Sequence, residues 1–360
     1  MSETEPFAPE EFAGTMAVRE QHRFDLAALD AWMRANVAGF RGDTTVEQFK
    51  GGQSNPTYRI TAGDRRYVLR RKPPGKLLPS AHAVDREFRV MSALAATDVP
   101  VPKMHALCMD DGVIGTAFYV MDYVPGRSFW EPTLPALPLA ERRGIFAAMN
   151  DAIARLHKVD YAAIGLADYG RPGSYVLRQI DRWSKQYRAS ETEAIPAMDR
   201  LIEWLPRHAP ASEETTLIHG DFRIDNLIFH PSEPRVIAVL DWELSTLGNP
   251  LSDFAYHMMP WRLGPDTYRG LFGYDLAALG IPSEAEGCAL YCRRTGRTEL
   301  PDWDFYIAFN MFRLAAILQG IMGRVREGTA ASARALESGA RAKRLAEAGW
   351  RQVEALENRR

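Results

Sequence analysis

The stretch from His219 to Glu243 constrains this chain more than any other. It opens His219-Gly-Asp221-Phe-Arg223-Ile-Asp225-Asn226, runs through apolar Leu227-Ile-Phe229, turns, and returns along Val236-Ile-Ala-Val-Leu240 to Asp241-Trp-Glu243. Two short β-type runs joined by a turn predict a hairpin over 217–241 with polar groups at its ends. Asn226 follows Asp221 by five positions and Asp241 follows it by twenty. Phosphoryl transfer asks for such groups: a carboxylate to take a hydroxyl proton, and hard oxygen ligands for the magnesium that bridges nucleotide phosphates.

The chain on either side divides by pattern. Residues 1–23 are polar and weakly patterned, and read as an arm. Asp25 then predicts the cap of a helix that carries Leu26, Leu29, Trp32, Met33 and Val37. Three strands are expected between Thr44 and Arg71, with Gly51-Gly52-Gln53-Ser54-Asn55 at the first corner and Ala62-Gly63-Asp64 at the second. A helix over His82–Leu94 and strands over Lys103–Met109 and Ala117–Met121 follow. Asp122-Tyr-Val-Pro-Gly126 breaks the pattern and reads as a hinge. Beyond it, helices are expected at 141–158, 174–188, 193–205, 252–260, 266–279, 283–296 and 302–327. A surface helix over 330–357 would turn Leu336, Leu345, Val353 and Leu356 inward. The fold class is α+β: an N-terminal arm and helix (1–39), a small antiparallel β lobe (40–122), a hinge (123–127) and a large, mainly helical lobe (128–360) that contains the hairpin 217–243.

Composition excludes several classes. A formal charge of −2 without a basic stripe argues against nucleic-acid binding. No apolar run was expected to reach the roughly 18 residues of a membrane span, and the acidic start Met-Ser-Glu-Thr-Glu does not resemble a secretory signal. The expected location is cytoplasmic. Cys108, Cys288 and Cys292 make neither a disulfide framework nor a zinc set.

The HGD-x4-N and LDWE pair resembles the aminoglycoside phosphotransferase family of kinase-like folds, which includes choline and homoserine kinases, over roughly residues 40–325. Gly51-Gly52-Gln-Ser54-Asn55, Tyr67-Val-Leu-Arg70-Arg-Lys-Pro-Pro-Gly75 and Asp85-Arg-Glu87-Phe are similar to one branch: the kinase-like domains fused to certain acyl-CoA dehydrogenases, and their free-standing bacterial relatives. The resemblance implies a protein-kinase-like bilobal fold, ATP and magnesium as cofactors, and a hydroxyacyl-CoA as acceptor.

It also implies roles for individual residues. Asp221 would be the general base, against the plainer reading of a turn aspartate bonded to its own backbone. Asn226 and Asp241 would hold magnesium, and Glu243 stands where protein kinases carry glycine. Arg223 would neutralise developing charge or simply pair with Asp225. Arg70, paired with Glu87, would grip the α- and β-phosphates; Lys72 shares its strand face by alternation. Gly51, Gly52, Ser54 and Asn55 would contact phosphate oxygens, and Met121 and Tyr123 the adenine. Asp253 would brace the catalytic loop, while His219 and His157 read as structural.

Two functions remain open on the sequence. One is a small-molecule kinase acting on a hydroxyl, with choline, homoserine or an aminoglycoside as alternatives to a hydroxyacyl-CoA. The other is a nucleotide-binding adaptor without turnover. Residues 245–330 hold nine acidic residues and eight arginines, a balance that disfavours a polycationic acceptor.

Overall fold

The computed structural model describes residues 14–50, 55–74, 82–326 and 335–359. Two compact units emerge: Met1–Trp130 with Leu227–Pro231 and Ile237–Glu243, and Glu131–Asn226 with Ser232–Val236 and Leu244–Arg360. This division departs from the boundaries expected at 39 and 127. The arm contributes a strand to the first unit, and most of the 227–243 hairpin belongs to that unit rather than to the helical one.

The first unit is built on a six-stranded antiparallel sheet in the order β1-β2-β3-β4-β6-β5. Its elements in chain order are β1 (Thr15–Met16), α1 (Leu26–Asn36), β2 (Thr44–Phe49), β3 (Thr57–Ala62), β4 (Arg65–Arg71), α2 (Val84–Leu94), β5 (Met104–Cys108), α3 (Asp111–Ile114) and β6 (Phe118–Asp122). Asp25 accepts from the Ala27 and Ala28 amides and caps α1 as expected. Strand alternation explains β4, which is buried on both sides. Tyr67 and Leu69 join the core with Leu29 and Met33 of α1 and with Phe118 and Val120. Arg71 donates to the Ile114 carbonyl at 3.0 Å and lies 5.2 Å from the Phe24 ring centre. Arg70, on the opposite face, meets α2.

The second unit holds α4 (Leu139–His157), α5 (Tyr175–Ala189), α6 (Pro196–Arg207) and β7 (Thr216–Ile218). The chain then supplies β8 (Leu227–Phe229) and β9 (Val236–Val239), and continues through β10 (Thr246–Gly248), α7 (Pro250–Met258), α8 (Pro265–Tyr268), α9 (Glu284–Thr295), α10 (Trp303–Arg326), α11 (Ala335–Ala340) and α12 (Ala342–Glu357). β7 pairs with β10, and β8 with β9. Within the span 217–241, β8 and β9 form the expected hairpin, with Asn226 and Asp241 at its ends, whereas β7 pairs with β10, beyond that span.

α10 is the central element, packed by α5, α7, α11 and α12. Contrary to the composition argument, it is long and apolar enough to cross a membrane. However, 83% of its most apolar stretch is buried inside the protein, which suits a core helix. The helix expected over 266–279 is reduced to α8. Arg269 and Gly273 have positive φ, and a side chain at Gly270 would collide with the Leu263 carbonyl. Leu345 and Val353 are buried as expected, whereas Leu356 is half-buried.

Candidate active site

The candidate residues fall into two sets, one in each unit. In the first unit Arg70 is 8% exposed and stands among three carboxylates. Its Nη2 donates to Asp241 Oδ1 at 2.5 Å and lies 3.6 Å from Glu243 Oε2. Its Nε is 3.1 Å from Glu87 Oε2, close enough for an ion pair but not aligned as a hydrogen bond. Burial opposes the Arg70 charge, yet Asp241, Glu87 and Glu243 outweigh it and hold the guanidinium well above its ordinary pKa. Glu87 in turn accepts from the Tyr119 hydroxyl at 3.0 Å and from the Asn55 amide at 3.1 Å. Burial pushes its carboxyl upward, and Arg70 and these donors offset part of that cost. Asp241 adopts φ +63, a left-handed backbone uncommon for residues other than glycine. Trp242 follows it, 1% exposed, with its indole N–H donating to the Val239 carbonyl at 2.9 Å.

In the second unit the loop after β7 holds Asp221. Its Oδ1 accepts from the Tyr256 hydroxyl at 2.6 Å and lies 3.2 Å from Arg223 Nε, and its Oδ2 accepts from Asn226 Nδ2 at 3.0 Å. Arg223 also donates to the Tyr268 hydroxyl at 2.8 Å and lies 3.5 Å from Asp225. Burial works against the Arg223 charge, but Asp221 and Asp225 raise it well above its usual value. The plainer expectation, a pair with Asp225, is present, and the same guanidinium also faces Asp221. Burial would raise the Asp225 carboxyl, but Arg223 and Arg269 hold it below the ordinary range.

The loop is braced from α7. Asp253 accepts the His219 amide at 2.9 Å and the Gly220 amide at 2.8 Å, and its Oδ2 is 3.1 Å from His157 Nε2. Burial alone would raise its carboxyl; the partners His157 and His219 keep it lowered. His157 also meets the Tyr291 hydroxyl at 2.7 Å, and the His219 ring accepts the Asp221 amide at 3.2 Å, so both histidines hold structure. Gly220 has φ +81, and a Cβ there would lie 2.6 Å from the Leu244 carbonyl, so only glycine fits. Its carbonyl accepts from Arg313 Nη2 at 2.5 Å.

Asn55 is buried and supports Glu87, with its Oδ1 2.9 Å from His82 Nδ1. Gly51, Gly52 and Ser54 lie outside the described residues. Met121 is buried in the sheet opposite Val68, and the Tyr123 amide donates to the Arg66 carbonyl. Lys72 is half-buried, its backbone amide bonded to Ala117; between Arg70 and Lys72, the arginine is the one held among the carboxylates. Sequence reading missed Tyr256, Arg313, Tyr119 and Tyr268. Tyr256 lies three residues after Asp253 on one helix, a spacing that shares a face and was available as a signal. Arg313, in the middle of an apolar helix, was another.

Asn226, in the second unit, and Asp241, in the first, each carry a side-chain oxygen that hydrogen bonding leaves available. Asn226 uses its amide N–H groups on Asp221, leaving Oδ1 without a hydrogen-bond partner among the described residues, and Asp241 bonds Arg70 through Oδ1 alone. Each is a hard oxygen donor of the kind magnesium takes. Among the described residues no group of three His, Cys, Asp or Glu forms a separate metal cluster.

The chain is similar to several known proteins. The chain is 48% identical over 340 residues to acyl-CoA dehydrogenase family member 10 of Mus musculus, a match covering 93% of this chain and 32% of that protein. It spans between 32% and 44% of the length of the curated relatives it matches. The crystal structure of a putative aminoglycoside phosphotransferase from Ralstonia eutropha is 57% identical, with a TM-score of 0.84 over 92% of this chain and 99% of that one. A choline kinase from Cryptosporidium parvum, 13% identical, superposes with a TM-score of 0.61 over 93% of this chain and 97% of its own, a likeness of fold alone. The fold is thus kinase-like α+β, and residues 45–287 match the phosphotransferase enzyme family, to which this chain belongs.

Proposed function

We propose that this chain is a small-molecule kinase that transfers the γ-phosphoryl group of ATP to a hydroxyl, with magnesium on the nucleotide. The observation that carries the reading is the Asp221 carboxylate, held by Tyr256, Asn226 and Arg223 on a loop that Asp253 and Arg313 fix in place. A base so oriented accepts the acceptor's hydroxyl proton and aims the oxygen at phosphorus. Arg223 offsets charge that develops on the transferred group, and Arg70 grips the α- and β-phosphates. Asn226 Oδ1 and the Asp241 carboxylate would hold magnesium, which when bound neutralises the phosphate oxygens.

A hydroxyacyl-CoA is the acceptor we favour. Its support is that the longer relatives carry the name acyl-CoA dehydrogenase over a chain of which this one matches a third to under half. The test is ADP release by purified protein with ATP and magnesium, across hydroxyacyl-CoAs, choline, homoserine and aminoglycosides. Asp221→Ala is expected to lower acceptor-dependent kcat by about 10²–10⁴-fold with ATP affinity within a few-fold. A fully active variant would overturn the base assignment. Tight ATP binding by wild type without turnover on any acceptor would favour the adaptor.

A further inference from the structure

A cavity of about 220 Å³ lies within the helical unit, between α4, the end of α7 and α9. Its walls are largely apolar, with Phe146, Met258, Trp261 and Leu290 among them. One polar ring interrupts them. His257 is 5% exposed, and among the described residues no hydrogen-bond partner meets it; its neighbours include the rings of Phe222, at 5.5 Å, Phe254, at 6.0 Å, and Trp261, at 6.1 Å. Burial lowers its pKa to about 4, so near neutral pH the ring is uncharged and offers one donor and one acceptor. The ring lines the cavity, and its nitrogens are available to a ligand there.

Asn150, Arg143 and Glu286 of the lining are already engaged. Asn150 donates to the Gly287 carbonyl at 2.9 Å and accepts from Arg294 at 3.0 Å. Arg143 pairs with Glu286 at 2.9 Å. Arg293, exposed, has no ion-pair partner among the described residues, so the lining carries one excess positive charge. An apolar cavity of about 150 Å³ accepts a benzene-sized molecule, which makes this one somewhat roomier.

We propose that this cavity binds a small apolar carboxylate of roughly benzoate to octanoate size, its hydrocarbon against Phe146 and Trp261, a polar atom on His257 and its charge toward Arg293. The site is independent of the phosphotransfer reading. It does border the catalytic loop, because Phe222, next to Asp221, packs edge-on against His257.

Isothermal titration of the full chain with octanoate, benzoate, octanol and octylamine tests it. Saturable binding of octanoate or benzoate is expected, weaker binding of octanol, and none of octylamine. Arg293→Glu, a surface change, should weaken octanoate about ten-fold, or ~1.4 kcal/mol, and leave octanol unaffected. Ala147→Phe, checked for a wild-type melting profile, should abolish binding by filling the space; Leu290→Trp serves if that variant does not fold. No saturable binding of either carboxylate would overturn the proposal, as would octylamine binding equal to octanoate or binding unchanged by the filling variant.

Discussion

Three groups around one carboxylate distinguish Asp221 from an ordinary turn aspartate, namely Tyr256, Arg223 and Asn226, while His219 holds its backbone amide. The spacing of Asp221, Asn226 and Asp241 was legible because a loop and a short hairpin fix where such residues fall. Tyr256 was not, since an aromatic in an apolar helix reads as core. Its ring does pack as core, with the Arg313 guanidinium 5.2 Å from the ring centre, and only its hydroxyl reaches Asp221. Tyr256→Phe should therefore keep the fold and remove one charge-assisted hydrogen bond, worth about 1.5–3 kcal/mol. If that bond aims the base in the transition state, kcat drops by about ten- to a hundred-fold while KM for ATP holds. Steady-state kinetics at saturating acceptor reads this split; an unchanged kcat would reduce Tyr256 to packing.

At the scale of elements, α7 links the loop brace, the base and the cavity. It starts two residues earlier than expected because Asn249 accepts the Ser252 amide and Pro250 follows at the first helical position. The expected helix over 266–279 failed for the opposite reason: Arg269 and Gly273 take left-handed backbone, and Gly270 passes against the Leu263 carbonyl, so the helix stops after α8. Asp253 in α7 accepts two buried backbone N–H groups, and Asp253→Ala would orphan both. Equilibrium urea unfolding should show a loss of about 2–5 kcal/mol; a loss below that range would mean the loop finds other acceptors. His257, four residues on, makes the same helix acid-sensitive. Its folded pKa, about 4, lies below the unfolded 6.5. Between those values the unfolded chain takes up a proton that the folded one refuses, so stability falls as pH drops from 6.5 toward 4. Over the whole window this amounts to about 3 kcal/mol. His257→Gln should flatten the fall between pH 7 and 5, and denaturant midpoints at the two pH values would show it; an equal fall in both proteins would place the sensitivity elsewhere.

For the whole molecule, the α+β class and the order of strands and helices were legible because strand and helix periods change near Gly126. What the pattern could not supply was the pairing of distant segments. The chain enters the helical unit at Glu131, leaves it after Asn226 and returns finally at Leu244. The segment between completes the sheet-bearing unit. Phe229 exchanges two backbone hydrogen bonds of 2.8 Å with Arg127, the Val239 amide donates to Pro100, and Asp241 meets Arg70. Gly126 lies so close to this hairpin that a Cβ would sit 2.4 Å from the Phe229 carbonyl. Cutting at the apparent hinge therefore does not release two domains. A fragment of residues 131–360 would keep the hairpin but lose Arg127, Pro100 and Arg70, uncovering Leu227, Phe229 and Val239, each at most 1% exposed in the intact chain. A fragment of residues 1–130 would bury Arg70 beside Glu87 without Asp241, its closest carboxylate. Expressed separately, both should bind a hydrophobic dye and melt without a cooperative transition, while the full chain does neither. A sharply melting, monomeric 131–360 fragment would show that the hairpin folds with the helices after all.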